Sequence, residues 1–429
     1  MRVLVVGGYG LIGGQVVTAL ATARHEVIGA GRDVRRAGRQ FPFARWEKAD
    51  LARFSATDWA PLLAGVEVVI NCAGALQDGP HDDLSAVHVT GLMTLARAAE
   101  AAGVRRLIHV SAAGLAESAS AFAHTKRGGE MALASQPVDW LILRPGLVLD
   151  GAAFGGSALL RGLAGFPFVT PCAYPDSRIQ VVGAQDIAHA VVAALEPSAP
   201  KRMAIDLVST ESYELRAILI RLRQWLGLPP ARVVSLPMPI AGATAAVADA
   251  LAMLGWQSPM RSTALAQLRQ GVVGDEASAA ALPSIRIRNL EQLLIATPSG
   301  VQERWFARLY FLKPVGLATL VVFWAVSGLT GLLALDRAAG VLHQAGFGQD
   351  IARPATIAGS TADLVLALLV CHRRTAPLSL KAMIALSAVY LLVATVWRPD
   401  LWSDPLGPLV KVIPAIVLAL MMLGLIEDR

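Results

Sequence analysis

Charge is scarce in this sequence and unevenly spread. Lys, Arg, Asp and Glu supply 16% of the 429 residues, whereas hydrophobic residues supply 55%; an ordinary soluble protein is about 25% charged. Cysteine is scarcer still. Cys72, Cys172 and Cys371 are odd in number, far apart and without a C-x-x-C pair. That argues against a disulfide framework or a cysteine zinc site and fits a reducing compartment. No dense Lys/Arg run with interleaved aromatics occurs, so the net charge of +6 does not indicate nucleic acid as a partner. Extra Lys and Arg in the cytoplasmic loops of a membrane protein account for the basic balance more simply. The first apolar run, ending at Val6, is too short for a signal-peptide core, and glycines follow at once. The N-terminal domain is therefore expected on the cytoplasmic side. Internal repeats and low-complexity tracts are also lacking.

What is present falls into two halves. Up to about residue 300, apolar and polar segments alternate; from Leu312 the charges thin out and the apolar runs lengthen. A chain of this length suggests two or three domains. Residues 2–6 read as a buried strand, Leu11 to Thr22 as a helix and Val27 to Ala30 as a second strand. Val66 to Ile70 is a strand, Leu84 to Ala102 a helix and Leu107 to Val110 a strand. Ala121 to Ala134 is a helix, and Trp140 to Leu143 a strand. Strand and helix alternating at this spacing predict βαβ units and a parallel sheet covered on both faces. Residues 150–300, the expected substrate region, are less regular: Ala204 to Leu207 reads as a strand and Tyr213 to Leu226 as a helix. Leu236 to Trp256 is Ala-rich and apolar but holds Asp249, and reads as a substrate-region helix at the membrane surface rather than a span.

Gly7, Gly10 and Gly13 stand in a G-x-x-G-x-x-G pattern that follows the first strand and opens the first helix. In that context the pattern is a dinucleotide-binding Rossmann fingerprint. Gly7 permits the tight turn, Gly10 lets the backbone approach a pyrophosphate, and Gly13 lets the helix pack against the sheet. The amides of Leu11 and Ile12 open the helix toward the anion. NAD-binding domains place an acidic residue at the end of the second strand; here Arg32 comes first and Asp33 follows. A guanidinium suits a 2′-phosphate, so NADP is the favoured cofactor, and Asp33 keeps NAD open.

These features resemble the short-chain dehydrogenase/reductase superfamily in its atypical, extended branch. That branch includes epimerase/dehydratase-like proteins and a nucleotide-binding accessory subunit of respiratory complex I. The resemblance covers about residues 1–300 and rests further on three short stretches. Asp50 and Leu51 stand where the family contacts adenine. Asn71-Cys72-Ala73-Gly74 resembles its loop under the adenine ribose, with Ala73 and Gly74 as cofactor contacts. Arg144-Pro145-Gly146 resembles its loop beside the nicotinamide, through Pro145. The resemblance implies a catalytic Ser, Tyr and Lys, the last two spaced Y-x-x-x-K on a helix. The Lys lowers the Tyr pKa and holds the nicotinamide ribose, and the Tyr is the general acid or base. Ser111 and Lys126 fill two of these places, but Phe122 stands at the Tyr position and has no proton to give. Lys126 still suits the ribose. His124 lies two residues from Phe122, on another face of the helix.

Four apolar runs close the chain: Leu312–Leu335, Ala355–Val370, Leu378–Val396 and Pro405–Ile426. Crossing the hydrocarbon takes about 20 residues, so these predict an all-α transmembrane four-helix bundle over residues 312–429, the second run being the short one. Its layout is similar to DoxX-like membrane domains. Arg304, Arg308 and Lys313 lie before or at the start of the first run, and Arg373, Arg374 and Lys381 lie between the second and third or at the start of the third. Trp397 and Trp402 mark a span end. The opposite loops offset Arg337, Arg353 and Arg398 with Asp336, Asp350, Asp400 and Asp404. The positive-inside rule then puts both termini in the cytoplasm of a bacterial-type inner membrane. Asp363 and Lys411 lie within runs; they form either an ion pair or a polar site for a quinone-like headgroup or proton, and Lys411 can also snorkel. No metal site is indicated.

Two functions follow. One is a membrane-anchored NAD(P)-dependent oxidoreductase whose substrate is lipophilic, quinone- or isoprenoid-like, with membrane lipid as its surroundings. The other is a non-catalytic NADP-binding subunit or assembly factor with a protein partner, a reading that Phe122 favours.

Overall fold

A computed structural model describes residues 1–79, 83–116, 118–282 and 285–426. The chain divides into two compact units: Met1–Asp249 with Ser258–Arg308, and Ala250–Gln257 with Leu309–Arg429.

The first unit is an α/β domain. Its elements open as β1 (Arg2–Val6), α1 (Leu11–Thr22), β2 (Glu26–Gly31), α2 (Val34–Gln40), β3 (Arg45–Lys48), α3 (Ala56–Leu63) and β4 (Val68–Asn71). A π-helix, Ala86–Gly91, runs into α4 (Leu92–Ala101). There follow β5 (Arg106–Val110), α5 (Ala121–Ala134), β6 (Trp140–Pro145) and, later in the chain, the last strand of the main sheet, β7 (Met203–Leu207). The strands form one seven-stranded sheet in the order β7-β6-β5-β4-β1-β2-β3. Every pairing is parallel, with Val5 beside both Gly29 and Ile70. Such a sheet needs cover on both faces, and alternate residues of each strand supply it. Val3 and Val5 pack with Val16, Leu20, Ile187 and Val191; Leu4 and Val6 pack with Trp59, Leu63, Leu92 and Leu95. The order reverses between β1 and β4, and in open α/β sheets the crevice at that point takes the ligand.

The remainder of this unit carries three two-stranded ladders: Leu147–Leu149 with Val181–Gly183, Arg178–Ile179 with Tyr213–Glu214, and Val169–Cys172 with Arg232–Ser235. The helix expected from Tyr213 starts at Leu215, because Tyr213 and Glu214 are extended and paired with Arg178–Ile179. The apolar stretch from Leu236 forms the helix Met238–Met253.

In the second unit, three helices among the described residues are long and apolar enough to cross a membrane: Leu312–Leu333, Gln349–Cys371 and Ala376–Trp397. They pack around Leu320, Trp324, Leu366, Leu380 and Met383. The second, short in its apolar run, is extended by a more polar first turn to 23 residues. The fourth run yields a helix of 14 residues, Val412–Leu425, because Asp404–Gly407 is a turn in which the Gly407 amide donates to Asp404 O at 2.8 Å. An additional helix, Leu335–Gln344, follows the first span. Asp363 is buried but does not meet Lys411. It accepts hydrogen bonds from Ser327 Oγ at 2.8 Å and Tyr390 OH at 3.2 Å, whereas Lys411 is exposed at the N-cap of Val412–Leu425.

Candidate active site

The crevice is assembled from strand ends. Gly7 and Gly10 leave β1, Arg32 leaves β2, Asp50 and Leu51 follow β3, Ala73 and Gly74 follow β4, Ser111 follows β5, and Pro145 ends β6. Lys126 arrives from α5, where its Nζ donates to Val110 O at 3.1 Å. The sequence-derived residues thus gather along the carboxyl ends of the strands of one sheet.

The glycines have separate jobs. Gly7 has φ +74°, and a Cβ there would lie 2.7 Å from Ala73 N, so its bareness brings the β1 and β4 loops together. A Cβ on Gly13 would lie 2.2 Å from Gly7 O, so that glycine serves the packing of α1. Gly10, at the N-cap of α1, is exposed, and a Cβ there would meet only Gly7 O, at 3.3 Å. The space in front of it is open, and the first-turn amides of Leu11, Ile12 and Gly13 have no intrahelical acceptor. This is a cradle for an anion.

At the β2 end, Tyr9 lies against Gly31, and its OH accepts from the Asp33 amide at 3.3 Å. One oxygen of the Asp33 carboxylate is engaged: Oδ1 accepts from the Arg36 amide at 3.0 Å and caps α2. Arg32 is exposed at this corner. Asp50 Oδ1 accepts from the Ala52 amide at 3.1 Å, and Leu51 is buried beneath Gly91, whose missing Cβ lets the π-helix sit on Leu51 O.

The β4 loop is held by side chains. Asn71 Oδ1 accepts from the Ala73 amide at 3.0 Å, which turns Asn71 Nδ2 toward His109 Nδ1 at 3.2 Å. One residue on from Gly74, the Ala75 amide donates to His88 Nε2 at 3.2 Å. Since Nε2 accepts, the His88 proton is on Nδ1 and is donated to Thr125 Oγ1 at 2.9 Å; Thr125 in turn donates to Ala121 O at 3.0 Å. His88 also meets the Phe122 ring edge to face, with centroids 5.7 Å apart. One imidazole therefore joins the β4 loop, the π-helix and α5. Burial, reinforced by the Lys126 charge, lowers its pKa to about 3, so it stays neutral. His88 was not singled out from the sequence; a polar residue on the buried face of that helix is the signal that marks it.

Lys126 is 5% exposed. Burial lowers its pKa to about 8, against the opposing pull of Glu130. The Ser111 hydroxyl is buried and has no hydrogen-bond partner among the described residues, an arrangement that fits a ligand atom in the crevice. Phe122 sits next to His88 and supplies no hydroxyl, while His124 is exposed. Arg144 is engaged elsewhere, its Nε donating to Glu130 Oε1 at 3.0 Å, and Pro145 O accepts from the Ala113 amide at 2.8 Å.

Residues 7–197 match the NAD(P)H-binding family model, and residues 321–420 match the DoxX-like family. The chain joins an NAD(P)-binding domain to a DoxX-like domain. Ceramide reductase of Caulobacter vibrioides is 28% identical over 193 residues, which cover 45% of this chain and 60% of that protein, so the match spans less than two thirds of this relative. The NAD(P)-binding domain also has the fold of solved short-chain dehydrogenase/reductase superfamily proteins. Triphenylmethane reductase from Citrobacter sp., solved with NADP(H), is 18% identical with a TM-score of 0.52, over 69% of this chain and 100% of its own. The Bordetella bronchiseptica enzyme WbmG, solved with NAD and UDP, is 18% identical with a TM-score of 0.52, over 72% of this chain and 96% of its own. The open cradle at Gly10 and the unpartnered Ser111 hydroxyl fit a nicotinamide dinucleotide in this NAD(P)-binding domain.

Proposed function

We propose that this protein is a membrane-anchored reductase that prefers NADPH and acts on a carbonyl of a lipophilic, ceramide-like substrate. The observation that carries the reading is a buried hydroxyl, Ser111, without a partner among the described residues, next in sequence to Val110, whose carbonyl accepts from the buried Lys126 at 3.1 Å. When bound, NADPH supplies a hydride. Ser111 Oγ, buried and without a partner among the described residues, would donate to a substrate oxygen. Phe122 cannot protonate that oxygen, and His88 has its single proton committed to Thr125. Lys126 Nζ is then the proton source, refilled from solvent. The apolar Phe122 wall suits an apolar substrate, and the relative named ceramide reductase supports a lipid. The DoxX-like domain and the three long apolar helices support anchoring in the bilayer, where such a substrate resides. Arg32 supports NADPH over NADH, because a guanidinium suits a 2′-phosphate.

The test is NADPH oxidation by the purified full chain with lipid and water-soluble ketones. Lys126→Met should lower kcat about 10²–10⁴-fold, the usual contribution of a general acid. Lys126 must be protonated to act, so kcat/KM should fall as pH rises through about 8. A flat profile there would count against Lys126 as the acid.

Phe122 also favours a second reading, a non-catalytic NADP-binding subunit. NADPH binding without turnover on any lipid ketone would favour it. In that case Phe122→Tyr, which restores a hydroxyl four residues before Lys126, should create measurable carbonyl reduction.

A further inference from the structure

The helix Met238–Met253 is arranged the wrong way round for water. Its buried stripe is alanine: Ala241, Ala245, Ala248 and Ala252. Its large apolar side chains face outward, with Ile240, Val247 and Met253 exposed by 52%, 59% and 74%. A helix on a soluble surface buries its large apolar residues and exposes polar ones. Small residues inward and large apolar residues outward is the arrangement helices adopt against lipid. The one charged residue in the helix, Asp249, is neutralised by Arg261 at 2.7 Å.

A second observation concerns where this helix ends. Residues Ala250–Gln257 belong to the second unit. There the Trp256 indole donates to Cys371 O at 2.6 Å, and the Arg373 amide donates to Leu254 O at 2.9 Å. The Arg373 guanidinium lies over the Trp256 ring, 5.4 Å from its centroid. Cys371 closes one long apolar helix and Ala376 opens the next. Leu254 and Trp256, which follow the helix, thus pack within the second unit at the end of one candidate span and beside the connection that carries Arg373 and Arg374. Trp and Arg are the usual anchors at a bilayer boundary. The helix has 16 residues, about 24 Å of rise, and is too short to cross a hydrocarbon core of about 30 Å.

We propose that the exposed apolar face of Met238–Met253 is seated in the headgroup–acyl boundary of a phospholipid bilayer, on the side of the Arg373–Arg374 connection. The proposal rests on the membrane-anchored reading above. Arg261, the partner of Asp249, also donates from Nη1 to Asp78 O at 2.7 Å, in the segment that continues from Gly74.

The experiment is photo-crosslinking of the full chain in phosphatidylcholine–phosphatidylglycerol vesicles containing a radiolabelled phospholipid. A benzophenone amino acid replaces, one at a time, Val247, Met253, Leu329 on the first long helix, or Glu100 on α4. The expected result is lipid labelling at positions 247, 253 and 329 several-fold above that at 100. Labelling at 329 without labelling at 247 and 253 overturns the proposal and leaves the anchoring intact. A crosslink from 247 to a second copy of the chain also overturns it, by assigning the face to a dimer. No labelling at 329 overturns the anchored reading and the proposal with it.

Discussion

Gly10 and Gly13 are both glycines of one short motif, yet they should fail in different ways. A side chain at Gly13 has nowhere to go, with Gly7 O at 2.2 Å and Gly8 Cα at 2.9 Å, so Gly13→Ala should destabilise the first unit by about 1–3 kcal/mol, as overpacking does. Gly10 has extended backbone (φ −71°, ψ 179°) and room for a side chain, so Gly10→Val should cost at most about 1 kcal/mol as a poorer N-cap. The valine would instead fill the anion cradle and weaken NADPH binding by an order of magnitude or more. Thermal unfolding and NADPH titration of the full chain separate the two effects. Normal NADPH binding by Gly10→Val would remove the loop from consideration as a phosphate site. The same logic divides Arg32 from Asp33. Arg32→Asp should reverse the preference for NADPH over NADH. Asp33→Ala should cost about 1 kcal/mol through loss of the α2 cap, with the ratio of the two affinities unchanged. A ratio moved mainly by Asp33→Ala would show that its carboxylate, not the Arg32 guanidinium, faces the ribose.

At the scale of elements, the π-helix Ala86–Gly91 does the positioning. Its wider turn re-aims the residues it carries, and such bulges are frequent at functional sites. Here it points His88 between the Ala75 amide and Thr125, so His88→Ala should free the β4 loop. Faster hydrogen exchange at the Ala75 amide would report the loss directly. Water admitted beside Lys126 should also reduce its desolvation, raise its pKa from about 8 toward the ordinary lysine value and move the alkaline limb of kcat/KM upward. Unchanged exchange at Ala75 would mean that the loop is held by Asn71 alone. This element was legible in the sequence as a helix but not as a π-helix, because one extra residue in a turn barely disturbs an apolar pattern. The strands β1, β2, β4, β5 and β6 were legible because buried parallel strands are short, continuous apolar runs, and the crevice was legible because glycines and strand ends punctuate them. The commitment of Asp33 to a cap was not legible, since capping and ribose binding ask for the same carboxylate at nearly the same place. Nor were the partners of Asp363. Depth in the sequence placed it near Lys411, but helix rotation and register brought Ser327 and Tyr390 to it instead.

For the whole molecule, the membrane topology turns on the helix Val412–Leu425. The connections near Lys313 and between Cys371 and Lys381 are rich in Lys and Arg. The other ends of the long helices carry mixed charge that pairs internally, with Arg353 3.4 Å from Asp336 and Arg398 2.7 Å from Asp400. We propose, on the positive-inside rule, that Gly346 lies outside and the Arg373–Arg374 connection in the cytoplasm. Three crossings would leave the C-terminus outside, and a fourth would return it. The last helix has 14 residues, about 21 Å, which is short of the hydrocarbon thickness. Its composition nevertheless favours crossing: no charged or strongly polar residue lies within it, and Val417, Leu420 and Met421 are exposed while Ala419 and Met422 pack into the bundle. Local thinning of the bilayer costs fractions of a kcal/mol per Å of mismatch. Leaving that many apolar side chains in water costs more, at about 25 cal/mol per Å². Lys411, at the N-cap, would then snorkel to the outer boundary. Reporter fusions in the loop at Gly346 and after Ile426 should therefore behave oppositely, the first external and the second cytoplasmic. The same behaviour at both sites would mean that Val412–Leu425 lies along the membrane and that the chain crosses it with the three long helices alone.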